Sequence, residues 1–367
     1  MGGHKNHYGY HEYRGRGGGR GRAVLLFIIA LLLLLLAAGA AFYAMVELEY
    51  TDNGVKISWR NGQEAPPSHP PVASDPLEIV TSTSPVDVTV EPTETVEPTP
   101  TPTPEPEYRP IAAVTVTTAQ LRGGSAAQAV AAAGGNALVG EMKNVNGNLA
   151  WQSQAALAAT LGTNAADNLT AQAVQILAQT TDLYLVAKIQ CFRDPVLARN
   201  WIGSIMTKGG NVWHDTQGMG WTSPANQQAA DYLSTLCLEL ADMGFDEILL
   251  DKAGYPNFGE VNVLATSDNR PEDLTVPVSA FLERLSGELA ERGVCLSVLT
   301  DETLLPGSTV LSGLTSDVLA GHVGRVWLEG SASAQQYNSL LTAAGWSDAA
   351  PRVVTKNAPF GGGSWYR

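Results

Sequence analysis

The sequence predicts an α/β fold, a (β/α)8 or TIM barrel over residues 111–367, carried on a single transmembrane anchor. Three observations point there. Short apolar runs rich in β-branched residues alternate with helical stretches, the pattern of a parallel sheet buried on both faces. The segment has 257 residues, close to the ~250 typical of such barrels. No G-x-G-x-x-G follows any predicted strand, so the alternative of an open, doubly wound sheet lacks support.

The elements follow in order. Ile111–Thr118 (IAAVTVTT) reads as the first strand, and Ser125–Ala133 as an Ala-rich helix stopped by Gly134-Gly135. Ala137–Lys143 is the second strand, Asp167–Gln179 a helix and Leu183–Phe192 the third strand. Asp194–Met206 reads as a helix followed by a long loop. Asn226–Met243 is a helix closed by Gly244, and Glu247–Leu250 leads as the fourth strand into Asp251. Val278–Arg292 is a helix closed by Gly293, before the fifth strand Val294–Thr300. Val323–Glu329 is the sixth strand, Ala334–Ala344 a helix and Arg352–Lys356 the seventh strand. Only Asn357–Arg367 remains, which leaves room for a short eighth strand at Gly363–Arg367 and no final helix.

The rest of the chain divides by composition. The formal net charge of −14 is uneven. Residues 1–22, a basic tail, sum to +4, and residues 23–46 (AVLLFIIALLLLLLAAGAAFYAMV) carry no charge. A helix needs about 20 apolar residues to cross the hydrocarbon core. Arginines before this stretch and acids after it place the N-terminus in the cytoplasm and the rest outside the cell membrane. The rival reading is a cleaved signal peptide, with small residues near Ala38–Ala44. The juxtamembrane segment 47–60 carries Asp52-Asn53-Gly54 between alternating residues, a hairpin signal. Residues 61–110 hold 13 of the 21 prolines and sum to −8, a disordered polyproline-II stalk.

Composition also excludes function classes. An acidic chain lacks the basic stripe of a nucleic-acid binder. Cys191, Cys237 and Cys295 are too few and scattered for a disulfide scaffold or zinc ribbon. His214 and His322 are the only histidines of the domain, and no H-E-x-x-H, Walker loop or G-x-S-x-G elbow occurs. No metal and no cofactor is therefore expected.

Function in such barrels sits on the loops that leave the carboxyl ends of the strands. The polar residues expected there are Glu141 and Lys143, then Lys188 and Asp194, then Asp251 and Lys252. Asp301 and Glu302, Trp327 and Glu329, and Lys356 complete them. Carboxylates from several strands on one rim suit glycosidic cleavage. One protonates the leaving oxygen and the other attacks or activates water, about 5–9.5 Å away. Trp151, Trp213, Trp221, Tyr255, Trp327 and Trp365 offer aromatic faces for sugar rings. The competing structural reading makes the acids rim ion pairs with the interleaved lysines.

Three segments in order, LYLVAKIQCFRDPVLARN, NVWHDTQGMGWTSPANQQAADY and LADMGFDEILLDKAGYP, resemble a family of exported bacterial TIM barrels of glycoside-hydrolase type, DUF4015. The resemblance covers roughly residues 111–330. Its matching positions are Lys143, Phe192, Asp194, Pro195, Trp213, Asp215, Gly218, Trp221, Pro224, Asp251 and Pro256. The chain departs from the family pattern at Glu141, where the family has Asp, and at Asn144, where it has an acid. It also departs in the loop Asp251–Pro256, which lacks the family arginine, and in RVWLEG.

Together these imply a membrane-anchored extracytoplasmic protein that acts on cell-wall or capsular polysaccharide by carboxylate acid/base catalysis. Asp251 is the first catalytic carboxylate, with Glu302, Glu329 or Glu141 as its partner. Lys143, Lys188, Asp194, Trp213, Asp215, Trp221, Lys252, Tyr255 and Trp327 are the expected substrate contacts. The alternatives are a degenerate barrel that binds glycan without cleaving it, and a purely structural surface domain.

Overall fold

The computed structural model describes residues 46–51, 54–59, 108–300, 312–329, 334–359 and 362–367. The chain divides into two units, Met1–Pro98 and Thr99–Arg367. In the first, β1 (Val46–Thr51) and β2 (Gly54–Trp59) pair antiparallel, with Val46 opposite Trp59 and Thr51 opposite Gly54. This is the hairpin expected from the Asn-Gly signal. The predicted span 23–46 lies, Val46 apart, outside the described residues, as do residues 61–107 of the stalk. Among the described residues no helix is long and apolar enough to cross a membrane.

The second unit is a closed barrel of eight parallel strands. They are β3 (Ala112–Val116), β4 (Ala137–Lys143), β5 (Tyr184–Gln190), β6 (Glu247–Asp251), β7 (Cys295–Thr300), β8 (Arg325–Leu328), β9 (Val353–Lys356) and β10 (Ser364–Tyr366). They run around the barrel in chain order, and β10 closes it between β9 and β3. Closure needs only three residues because both neighbours hold the strand. Trp365 pairs with Ala112 and Tyr366 with Ala113, while the Ser364 hydroxyl takes the Ile111 N–H at 3.0 Å. The short eighth strand is therefore real. No helix joins β9 to β10 among the described residues.

Around the barrel lie α1 (Thr118–Arg122), α2 (Ala126–Ala132), α3 (Ala156–Leu161), α4 (Leu169–Thr180), α5 (Pro195–Arg199), α6 (Gln227–Met243), α7 (Thr275–Ala290), α8 (Ser316–His322) and α9 (Ala334–Ala343). The sequence reading misses α1, α3 and α8, each under two turns and too short to show a period. It also starts α7 too late, at Val278. Pro277 sits in the first turn, where a missing N–H costs nothing. The helix expected over Asp194–Met206 ends at Arg199, because Trp201 turns left-handed (φ 61°) and the chain leaves for a long loop.

Side chains alternate across each strand. Ala113, Ala137, Val139, Val186, Leu249, Leu299, Trp327 and Val354 fill the barrel interior. Their neighbours, such as Leu138, Leu185, Ile248, Leu250 and Val298, pack outward with residues such as Val174, Leu236, Leu282 and Leu285 of the helices. One polar cluster sits among the inward positions. Fully buried Glu247 accepts from Trp327 Nε1 at 2.7 Å, Arg325 Nη1 at 2.9 Å and Tyr184 OH at 3.1 Å. A buried carboxylate is tolerated because its oxygens are met in this way.

Candidate active site

Parallel strands in a barrel end on one rim, so residues at their carboxyl ends face one another. Glu141 on β4 is in register with Lys188 on β5. Lys188 Nζ lies 3.2 Å from Asp251 Oδ2 and 4.0 Å from Glu141 Oε1. Lys252 Nζ lies 3.9 Å from Asp251 Oδ1 and 3.6 Å from Glu329 Oε2. Charges thus alternate along the rim from Glu141 through Lys188, Asp251 and Lys252 to Glu329. Because each outer acid shares a lysine with Asp251, its contacting oxygen is within about 7–7.5 Å of an Asp251 oxygen. That bound overlaps the separations used in glycosidic cleavage.

The acids differ in exposure. Glu141 and Glu329 are 46 % and 44 % exposed, whereas the Asp251 side chain is 8 % exposed. Asp251 Oδ1 is buried and, among the described residues, accepts no hydrogen bond, with the Lys252 ammonium 3.9 Å away. A buried acceptor without a donor is costly in a finished fold and useful in a site awaiting a ligand. Lys252 itself has φ 54°, a left-handed conformation uncommon for any residue but glycine. It is held there by Phe192 N–H, which donates to the Lys252 carbonyl at 3.1 Å.

The rim bounds a cleft of about 400 Å³, lined by Glu141, Lys188, Trp327, Tyr366 and the threonines Thr115, Thr117 and Thr118. Trp327 belongs to its floor, fixed by Glu247 beneath it. Tyr366 packs on Trp327 with ring centroids 5.2 Å apart, and its hydroxyl donates to Leu328 O at 3.0 Å. Burial, then the charges of Glu329 and Asp251, push the Tyr366 phenol well above its ordinary range. It stays protonated at neutral pH, a hydrogen-bond donor beside two carboxylates.

Of the expected site residues, the structure brings Glu141, Lys188, Asp251, Lys252, Trp327 and Glu329 together. Glu302 lies outside the described residues. The remainder are buried behind the rim. Lys143 Nζ pairs with Asp194 Oδ2 at 2.8 Å and donates to Gln190 O at 2.6 Å, with side-chain exposures of 0 % and 2 % for the pair. Asp194 Oδ1 caps α5 through Val196 N and Leu197 N. Trp213, Trp221 and Tyr255 are core residues at 1–3 % exposure. Tyr255 OH bonds Ser223 Oγ at 3.2 Å. Trp151 is buried as well. Tryptophan reads from sequence as a sugar platform, but its large apolar area is also what a core takes up first.

Asp215 is the hub of the loop after α5. It accepts from Arg193 Nε at 2.7 Å, Trp221 Nε1 at 3.1 Å, Gln217 N at 2.8 Å and Met219 N at 3.1 Å. Burial alone would raise its carboxyl, but the Arg193, Trp221 and backbone donors outweigh it and hold the group below its usual range. A depressed carboxylate contributes stability above its unfolded pKa of about 3.9 and loses it as pH falls through the folded value. Asp215→Asn is expected to cost about 1–3 kcal/mol at pH 7. That difference should shrink progressively as the pH of the unfolding measurement falls below about 4, through the lowered folded-state value. A difference unchanged with pH would mean that the hub does not depend on the charge.

Sequence reasoning missed four contributors. The threonines lie where the expected first strand, Ile111–Thr118, gives way to α1, a helix the sequence reading misses. Tyr366 belongs to a strand of three residues. Phe258, half-buried, carries Arg193 and Lys252 at 5.9 and 6.0 Å from its ring centre. Glu247 and Arg325 lie at strand starts, away from the rim where chemistry was sought. Among the described residues no group of three or more His, Cys, Asp or Glu could hold a metal ion.

The sequence model of one family, DUF4015, described as "Putative glycosyl hydrolase domain", matches residues 112–300. No curated protein matches. A hypothetical protein from Ruminiclostridium thermocellum is 21 % identical over 50 % of this chain and 96 % of its own, with a TM-score of 0.43. The spore cortex-lytic enzyme SleL of Bacillus megaterium is 13 % identical over 69 % of this chain and 52 % of its own, with a TM-score of 0.37. A GH20 exo-β-N-acetylglucosaminidase from Vibrio harveyi in complex with N-acetylglucosamine is 10 % identical, covering 69 % of this chain and 42 % of that one, with a TM-score of 0.46. This chain thus spans about half the length of SleL and less of the Vibrio enzyme.

Proposed function

The chain belongs to the DUF4015 family of glycosyl hydrolase domains, and from that premise we propose that it cleaves glycosidic bonds of a bacterial wall or capsular polysaccharide at the Glu141–Glu329 rim. The observation that carries this reading is the run of three carboxylates, spaced by two lysines, at the carboxyl ends of the strands, with Glu141 and Lys188 lining the cleft. Asp251, central and buried, serves as nucleophile or as base for a water. The more exposed Glu329 or Glu141 protonates the leaving oxygen. Lys188 and Lys252 hold Asp251 in place and bind sugar hydroxyls, and half-buried Tyr366, backed by the fully buried Trp327, forms an apolar seat for the ring. Behind them Lys143, Asp194, Asp215, Trp213, Trp221 and Tyr255 position the loops that carry the rim.

The basic residues 1–22, apolar residues 23–46 and acidic residues beyond them support a single-pass protein with the barrel outside the cell. Residues 61–110 are the stalk that lifts the barrel off the membrane. The test is release of reducing ends from a panel of wall and capsular polysaccharides by the full chain. Glu141→Gln and Glu329→Gln run beside wild type. The variant that loses polysaccharide cleavage but retains cleavage of an aryl glycoside with an acidic leaving group identifies the proton donor.

The lysines favour a second reading. Every rim acid described here has an ammonium within 4.0 Å, an arrangement that suits a barrel holding glycan without cleaving it. Retention of one polysaccharide with no reducing ends released would select that reading.

A further inference from the structure

The aromatic residues expected to face sugar are mostly buried, but Trp201 is 67 % exposed. It follows α5 at the position after the C-cap Asn200. Trp201 N–H donates to Ala198 O and Ile202 N–H to Leu197 O, both at 3.1 Å. These two bonds make a Schellman turn, whose left-handed residue is ordinarily glycine. Here it is a tryptophan at φ 61°. A bulky residue in that conformation is a backbone outlier that costs stability relative to glycine. Burial would offset the cost, and most of this residue is exposed. Strain without a folding return points to a use outside the fold.

Its place supports a particular use. Gly203, two residues on, abuts the side chain of Asn226, the N-cap of α6. Helices that return from a strand start on the same pole as the strand ends, so Trp201 lies on the pole of the carboxylate rim. Arg199 and Asn200 beside it are exposed too. Asn200 Nδ2 donates to Val196 O at 2.8 Å. An exposed tryptophan next to an exposed arginine and asparagine is a surface suited to a sugar ring and its hydroxyls.

We propose that Trp201, with Arg199 and Asn200, is a remote subsite that grips an extended glycan chain on the catalytic pole. The proposal rests on the glycan-acting reading above. The subsite recognises chain length, taking sugar units beyond those seated over the rim.

The test compares the full-length wild type with Trp201→Gly and Trp201→Phe. The probes are the panel polysaccharide best retained or cleaved and its own trisaccharide. Trp201→Gly is expected to melt no lower than wild type, because glycine suits the turn. Its ratio of kcat/KM for polymer over trisaccharide is expected to fall about tenfold, with Trp201→Phe keeping most of the ratio. If nothing is cleaved, the retention of polymer in affinity electrophoresis replaces the ratio. An unchanged ratio or retention in Trp201→Gly overturns the subsite, even where Asp251-dependent cleavage upholds the hydrolase. A lower melting temperature for Trp201→Gly overturns it as well, by giving the indole a structural role. A wild type that neither holds nor cleaves any glycan defeats both readings.

Discussion

Asp251→Asn is expected to lower kcat on the responsive polysaccharide by about 10³-fold or more, the scale of removing a catalytic carboxylate. The fold should survive the change. Lys188 keeps Glu141 and Lys252 keeps Glu329, so neither ammonium is stranded. The amide is isosteric and sits at the end of β6, whose ladder to β5 and β7 is backbone. Circular dichroism and melting temperature close to wild type, with activity gone, is the expected pair of results. Full activity in the variant would move the chemistry off Asp251.

The second large effect is on stability. Asp194→Ala removes the partner of an ammonium at 0 % exposure and the cap of α5 together. An uncompensated buried charge costs about 3–5 kcal/mol, and a lost cap about 1 more. For a domain of this size the melting temperature should drop by roughly 10 °C. Adding Lys143→Met should recover much of that loss, because an apolar pair tolerates burial better than half an ion pair. The protein that remains folded should keep its KM for any polysaccharide it cleaves, since both side chains are buried. A raised KM at an unchanged melting temperature would instead make Asp194 a glycan contact.

These two residues show what the sequence discloses. Asp251 follows EILL, and Asp194 precedes Pro195, both on strand ends where chemistry is sought. One stands on the charged rim and the other is buried in an ion pair with Lys143. Position along the strand is legible, because apolar runs mark the strands and the next polar residue marks the rim. Which way that residue turns depends on partners remote in the chain. Asp194 is drawn inward by Lys143, 51 positions earlier, and by two free N–H groups of α5. Trp213 and Trp221 are likewise claimed by the core and by Asp215. Tyr366 and Trp201 show the reverse failure. A three-residue strand has no period to detect, and a left-handed tryptophan stands where the pattern suggests more helix. The barrel was legible because eight repeats reinforce one another. The site was half legible because single side chains have no such redundancy.

The most direct measurement is a crystal structure of the Asp251→Asn protein soaked with an oligosaccharide of its best substrate. The account predicts a sugar ring in the cleft beside Tyr366, with its glycosidic oxygen within hydrogen-bond reach of Glu329 or Glu141. The anomeric carbon should face residue 251. Oligosaccharide bound away from this rim, or across it with no carboxylate near the glycosidic oxygen, would contradict the account.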